Sequence, residues 1–123
     1  MAPRLTSDIV SQVDILFLSA VKSPGSQVDP LSEAEQSILV DFVRSGGSAV
    51  LLGDNSSFTD ASNSLLGPFD MAMAGGGSSS GALSVLDPAS HPLTNGPFGA
   101  VTAIDQWFAG AISGPGSMGL TLA

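Results

Sequence analysis

The chain reads as an α/β domain organised around a mainly parallel sheet. Three observations predict this. Residues 15–18 are an uninterrupted apolar run bounded by Asp14 and Ser19. Residues 33–44 carry apolar side chains at helical spacing, and residues 48–52 form a second short apolar strand ended by Gly53 and Asp54. A strand, a helix and a strand in this order, with a crossover of this length, make a right-handed parallel unit over residues 14–54.

Each element has its own signal. Residues 5–13 predict a short helix, capped by Thr6 or Ser7, with Leu5, Ile9, Val10 and Val13 on one side. The 14–19 strand lacks polar alternation, so it is expected to be buried on both faces. Pro24, Gly25 and Pro30 make residues 20–31 a loop. Ser32 and Glu35 then match the capping box, in which the hydroxyl and the carboxylate satisfy each other's backbone N–H. Ala34, Ile38, Leu39, Phe42 and Val43 follow on one face, and Glu33, Gln36, Ser37, Asp41 and Arg44 on the other. Glu33 and Glu35 sit at the positive end of the helix dipole. Gly46 and Gly47 supply the left-handed cap that ends the helix.

Past Asn55 the pattern is weaker. Residues 59–66 predict a short helix, capped by Thr59 or Ser57 and stopped by Gly67 and Pro68. Residues 71–74 predict a brief strand. Residues 75–81 are glycine and serine alone and read as a flexible surface loop. Further strands are expected over 82–86, 101–104 and 118–123, with turns between them. For Trp107 and Phe108, core packing is set against an exposed pair that stacks on a sugar or a partner protein.

A length of 123 residues predicts one domain, 1–123. Hydrophobic residues make up 43% and charged residues 11%, which predicts a real core under a surface of Ser, Thr, Asn and Gly. The net charge of −8 argues against nucleic acid and anionic membranes, because Arg4, Lys22 and Arg44 are the whole basic complement and are scattered. Acidity of this kind serves solubility or, more specifically, cation binding. The absence of cysteine excludes disulfides, thiolate nucleophiles and Cys-based zinc sites. No apolar run approaches the ~20 residues of a membrane span, and the first residues carry no signal-peptide core. Few lysines, no cysteine and much Ser, Gly and Asn fit a bacterial extracellular or periplasmic protein.

Residues 13–54 carry a family resemblance. The strand from Asp14, the Pro30-Leu31-Ser32 turn, Glu35, Phe42-Val43, Gly46-Gly47, the strand 50–52 and Gly53-Asp54 resemble the class I glutamine amidotransferase-like superfamily, in its non-catalytic bacterial branches near the trehalose-utilisation and gliding-motility types. Asn63, Leu65-Leu66 and Phe69, and His91-Pro92-Leu93-Thr94 with Gly96, extend the likeness. The resemblance implies a flavodoxin-like, three-layer α/β/α fold with a mainly parallel sheet. Members begin with a strand and helix ahead of the Asp14-type strand. That first strand is lacking here, which suggests a fragment of a longer protein. Catalytic members use a cysteine nucleophile, so their activity does not carry over to a chain without cysteine.

In an open parallel sheet, ligands bind beyond the carboxyl ends of the strands. This singles out Ser19, Lys22, Asp54, Asn55 and Ser56 as ligand-binding candidates, with His91, the only histidine, beside them. Each has a plainer role: Asp54 as a loop cap, Lys22 as a solvated lysine, His91 as part of a turn. Ser19, Ser56 and Ser57 are nucleophiles on paper only, because no Gly-x-Ser-x-Gly elbow is present. Asp54, Asn55 and Asp60, with Ser56 and Asn63, are hard oxygen ligands of the kind calcium takes, although without EF-hand spacing. Helix capping accounts for the same residues.

The leading expectation is therefore a non-enzymatic binding or structural module of a larger bacterial surface or exported protein, without a cofactor unless calcium binds. One alternative is a carbohydrate-related enzyme of the trehalose-utilisation type, which needs His91, Asp54 and Lys22 in one pocket. The other is an assembly subunit whose open sheet edge is completed by a protein partner or a second copy.

Overall fold

The computed structural model describes residues 4–22, 25–74, 80–85, 91–107 and 110–114. Its first element is a single helical turn, α1 (Ser7–Val10), shorter than the expected 5–13 helix and capped by Thr6, whose side chain accepts the Ile9 N–H. Strand β1 (Ile15–Ser19) follows. The stretch predicted as a loop contains a small antiparallel hairpin, β2 (Val21–Lys22) with β3 (Ser26–Gln27). Then come α2 (Glu33–Arg44) and β4 (Ser48–Leu52). A 3₁₀ turn at Ser56–Phe58 leads into α3 (Thr59–Leu66), and a second, Gly67–Phe69, closes it. The remaining strands are β5 (Ala72–Ala74), β6 (Ser80–Ser84), β7 (Asn95–Gly96), β8 (Gly99–Ala100), β9 (Ala103–Trp107) and β10 (Ala111–Ser113).

The β1–α2–β4 unit forms as the sequence predicts. The two strands pair in parallel, Ile15 opposite Ser48 through to Ser19 opposite Leu52. Helix α2 begins with the full capping box: Ser32 Oγ accepts the Glu35 N–H, and the Glu35 carboxylate accepts the Ser32 N–H. It ends in a Schellman motif. Gly46 N–H donates to Val43 O and Gly47 N–H to Phe42 O, with Gly46 in the left-handed region at φ 100°. Gly47 lies directly against the Phe42 ring, leaving no room for a β-carbon.

The core lies within this unit, between α2 and the β1–β4 pair, and is closed by Leu5 from the segment before β1. Leu5, Leu16, Leu39 and Phe42 are its buried centre, with Leu18, Ile38, Ala49, Leu51 and Phe69 around them. A second cluster, Ala20, Ala61 and Leu65, joins α3 to the end of β1.

Burial of β1 on both faces is not what forms. Leu16 is buried and Leu18 half-buried on the α2 side, whereas Ile15, Phe17, Val50 and Leu52 are exposed, Phe17 at 71%. The side-chain period of two sends alternate residues to opposite faces, and among the described residues only one face has a cover. The mainly parallel sheet needs the same correction. The described strands form five separate two-stranded pairs, and β1–β4 alone is parallel; β2–β3, β5–β10, β6–β9 and β7–β8 are antiparallel. Two of the antiparallel pairs, β2–β3 and β7–β8, are closed by short loops, which only antiparallel strands allow. The coarse α/β class therefore stands, with its parallel part confined to one pair.

Smaller corrections follow. The expected 82–86 strand is β6, two residues earlier, so Ser80 and Gly81 belong to a strand rather than to the Gly/Ser loop. The rest of that loop, 75–79, lies outside the described residues, as do Phe108 and the strand expected over 118–123. The expected 101–104 strand is β9, two residues later. Of the two readings of Trp107, exposure is the one that forms: the residue is 79% exposed at the end of β9. Residues 4–14 hold α1 and no strand.

Candidate functional site

The carboxyl ends of β1 and β4 lie side by side, because the parallel register sets Ser19 opposite Leu52. The candidate residues cluster there in sequence, yet Ser19, Asp54, Asn55 and Ser56 are each tied to a local turn. Ser19 Oγ accepts the Val21 N–H at 3.2 Å. Asp54 Oδ1 accepts the Asn55 N–H at 2.7 Å, and the Asp54 N–H donates to Ser62 Oγ at 3.1 Å. Asn55 Oδ1 accepts the Ser57 N–H at 3.2 Å and so caps the 3₁₀ turn. Ser56 contributes its carbonyl to Thr59 Oγ1. Lys22 stands exposed in the β2–β3 hairpin.

His91 belongs to a different turn. Its Nδ1 accepts the Leu93 N–H at 3.2 Å, and its carbonyl accepts from the N–H groups of Thr94 and Asn95. It is the hinge of the turn that leads into β7, and none of its hydrogen bonds reaches Ser19, Lys22 or Asp54. A nucleophile activated by a base needs that pair within hydrogen-bond reach. Among the described residues no group of three or more His, Asp or Glu side chains is placed to hold a metal ion. Asp54 and Asn55, two of the calcium candidates, instead spend side-chain oxygens on the backbone N–H groups of Asn55 and Ser57.

The structure does build a concavity at this end, with no β4 residue in it. A hollow of about 200 Å³ touches Phe17, Leu18 and Ser19 of β1. Consecutive strand residues point to opposite faces, so a hollow that meets all three lies along the strand's outer edge. Its apolar lining comes from Leu5, Val28, Leu31 and Leu65, with Arg4 and Asp29 as its charged members. The facing wall, residues 28–31, is held at Val28, Pro30 and Leu31. The Val28 N–H donates to Ala20 O at 3.0 Å. Arg4 Nη2 donates to Pro30 O at 3.0 Å. The Leu31 N–H donates to Ser64 Oγ at 2.9 Å, and Gln36 Nε2 donates to Leu31 O at 3.0 Å.

Behind that wall is Glu35, the most heavily bonded side chain among those described. Oε1 accepts the N–H groups of Arg4 at 2.7 Å and Leu5 at 3.2 Å; Oε2 accepts the N–H and hydroxyl of Ser32 at 2.9 and 2.8 Å. Arg4 Nε adds a charge at 3.9 Å. Burial pushes this carboxyl up, but the donors from Ser32, Arg4 and Leu5 outweigh it and hold the group at about 2. The capping half of this role is legible in the spacing of Ser32 and Glu35. The other half is not, since the backbone N–H groups of Arg4 and Leu5 carry no side-chain signature. Ser64, which fixes Leu31, was likewise unmarked in sequence.

No family model, no curated protein and no solved structure matches this chain.

Proposed function

We propose that the chain is a non-enzymatic binding module, part of a larger bacterial surface or exported protein, that acts by contact along the outer side of β1. The observation that carries this reading is the local use of three candidate groups that a reaction would need. Ser19 Oγ, His91 Nδ1 and Asp54 Oδ1 each accept a backbone N–H from within two residues. Groups that hold their own turns in shape are positioned to present a surface rather than to converge on a substrate. The likeness to the amidotransferase-like superfamily is kept as a reading of architecture alone, because a cysteine nucleophile is not available to this chain.

A second reading, completion of the sheet by another polypeptide, is favoured by the side of β1 that has no strand partner among the described residues. The two readings are compatible, the second naming how contact is made. The test is a panel of ester, amide and glycoside substrates incubated with the purified chain. Rates at the buffer background are expected for the unaltered chain and for Ser19→Ala and His91→Ala alike. A turnover that either substitution abolishes sinks the reading.

A further inference from the structure

Resting on the contact reading above, we infer that the hollow beside β1 receives an extended, basic polypeptide segment. The segment adds as a strand to β1 and seats one bulky apolar side chain among Leu5, Leu18, Leu31 and Leu65. Among the described residues, strand β1 pairs only with β4 and no other backbone hydrogen bond reaches it between Ile15 and Ser19. Its outer edge there presents unpaired N–H and C=O groups, and its five residues include neither a charge nor a proline to discourage pairing. The hollow meets the same strand over its last three residues, Phe17 to Ser19. An incoming strand therefore finds backbone partners and a side-chain pocket in one place, the combination on which strand addition depends.

The pocket fits one anchor. A cavity of about 150 Å³ accepts a benzene ring, so a hollow of about 200 Å³ takes one branched or aromatic side chain. Its wall is prebuilt by the hydrogen bonds to Ala20, Arg4, Ser64 and Gln36, so little ordering is left to oppose binding.

Charge selects among occupants. Asp14 precedes β1, and Asp29 lines the hollow. Arg4, the one base on the lining, is already engaged by Pro30 O and Glu35. With a net charge of −8 on the chain, a second copy meets repulsion, whereas a segment with Lys or Arg flanking its anchor is attracted.

The probe is the peptide acetyl-KVKLKVK-amide, titrated into the full chain and followed by backbone amide NMR shifts and by anisotropy of a labelled version. Binding is expected with the largest shifts at residues 17–19 and 28–31. The affinity should fall about tenfold between low and high salt. A version N-methylated at alternate backbone amides, and the glutamate version EVELEVE, should each bind at least about tenfold more weakly. Asp29→Lys should weaken the basic peptide while leaving the far-ultraviolet dichroism unchanged, and Val28→Trp should fill the hollow and block it. The proposal is overturned if the peptide fails to bind at millimolar concentration, if the N-methylated version binds equally well, if the shifts lie elsewhere, or if at low salt the chain's own dimerisation shifts the β1 amides first. Failure of the peptide in a chain that remains inert toward substrates removes this partner and leaves the contact reading standing. Substrate turnover removes the contact reading itself.

Discussion

The Arg4 N–H donates to Glu35 Oε1 at 2.7 Å across 31 residues of sequence. One carboxylate thus completes the helix cap of α2 and fastens the segment that carries Leu5 into the core. The same segment supplies Arg4 and Leu5 to the hollow beside β1, so the anchor and the candidate site share their residues.

Acid should loosen this anchor over a defined window. The folded state holds the Glu35 carboxyl at about 2, below its ordinary 4.5. The stability it contributes is full above pH 4.5 and is lost as pH falls toward 2. Glu35→Gln puts an amide N–H₂ where backbone N–H groups need an acceptor, at a cost of about 2–3 kcal/mol at neutral pH. Urea unfolding between pH 2 and 7 should show the unaltered chain losing stability through that window. The variant should lose less stability there, and the two curves should converge at the acid end.

Gly46 and Gly47 end α2 for different reasons, and substitution separates them. Gly46 needs a positive φ of 100° but has open space around it, whereas a β-carbon on Gly47 meets the Phe42 ring. Gly46→Ala should cost about 1 kcal/mol of backbone strain. Gly47→Ala must also displace a core ring and should cost about 1–3 kcal/mol. Phe42→Leu, by opening space, should reduce the Gly47→Ala penalty and leave the Gly46→Ala penalty unchanged in a double-mutant cycle followed by thermal unfolding.

Phe17 is the most exposed apolar side chain of the β1–β4 face. Phe17→Lys should change monomer stability by no more than about 0.5 kcal/mol. Its effect should appear in association. Net charge keeps chains apart at low salt, and screening should let the apolar face and the open edge meet at high salt. Light scattering should show the unaltered chain associating as salt rises and the lysine variant remaining monomeric.

The sequence was legible where a local rule has few solutions. Ser32 with Glu35, and the Gly46-Gly47 pair, mark both ends of α2, and two apolar runs mark the strands on either side. Asp54 and Asn55 were also placed at the right end of the sheet, since strand order alone sets them there. Burial was not legible. Ile15, Leu16, Phe17 and Leu18 are all apolar, so the run conceals that only alternate residues are covered. Trp107 left two readings open for a similar reason: its hydrophobicity does not report that β9 pairs with β6 as a two-stranded ribbon exposed along nearly its whole length. The hollow was invisible because its walls are joined by backbone groups and by Ser64, over separations of up to 33 residues.

Amide hydrogen exchange along β1 tests the open edge most directly. Alternate N–H groups of a strand point to opposite sides, so a strand paired on one side protects only every second amide. Slow and fast exchange should alternate from Ile15 to Ser19 in the dilute, unliganded chain. Uniformly slow exchange through all five residues would mean that the outer edge is already paired, and would contradict the account.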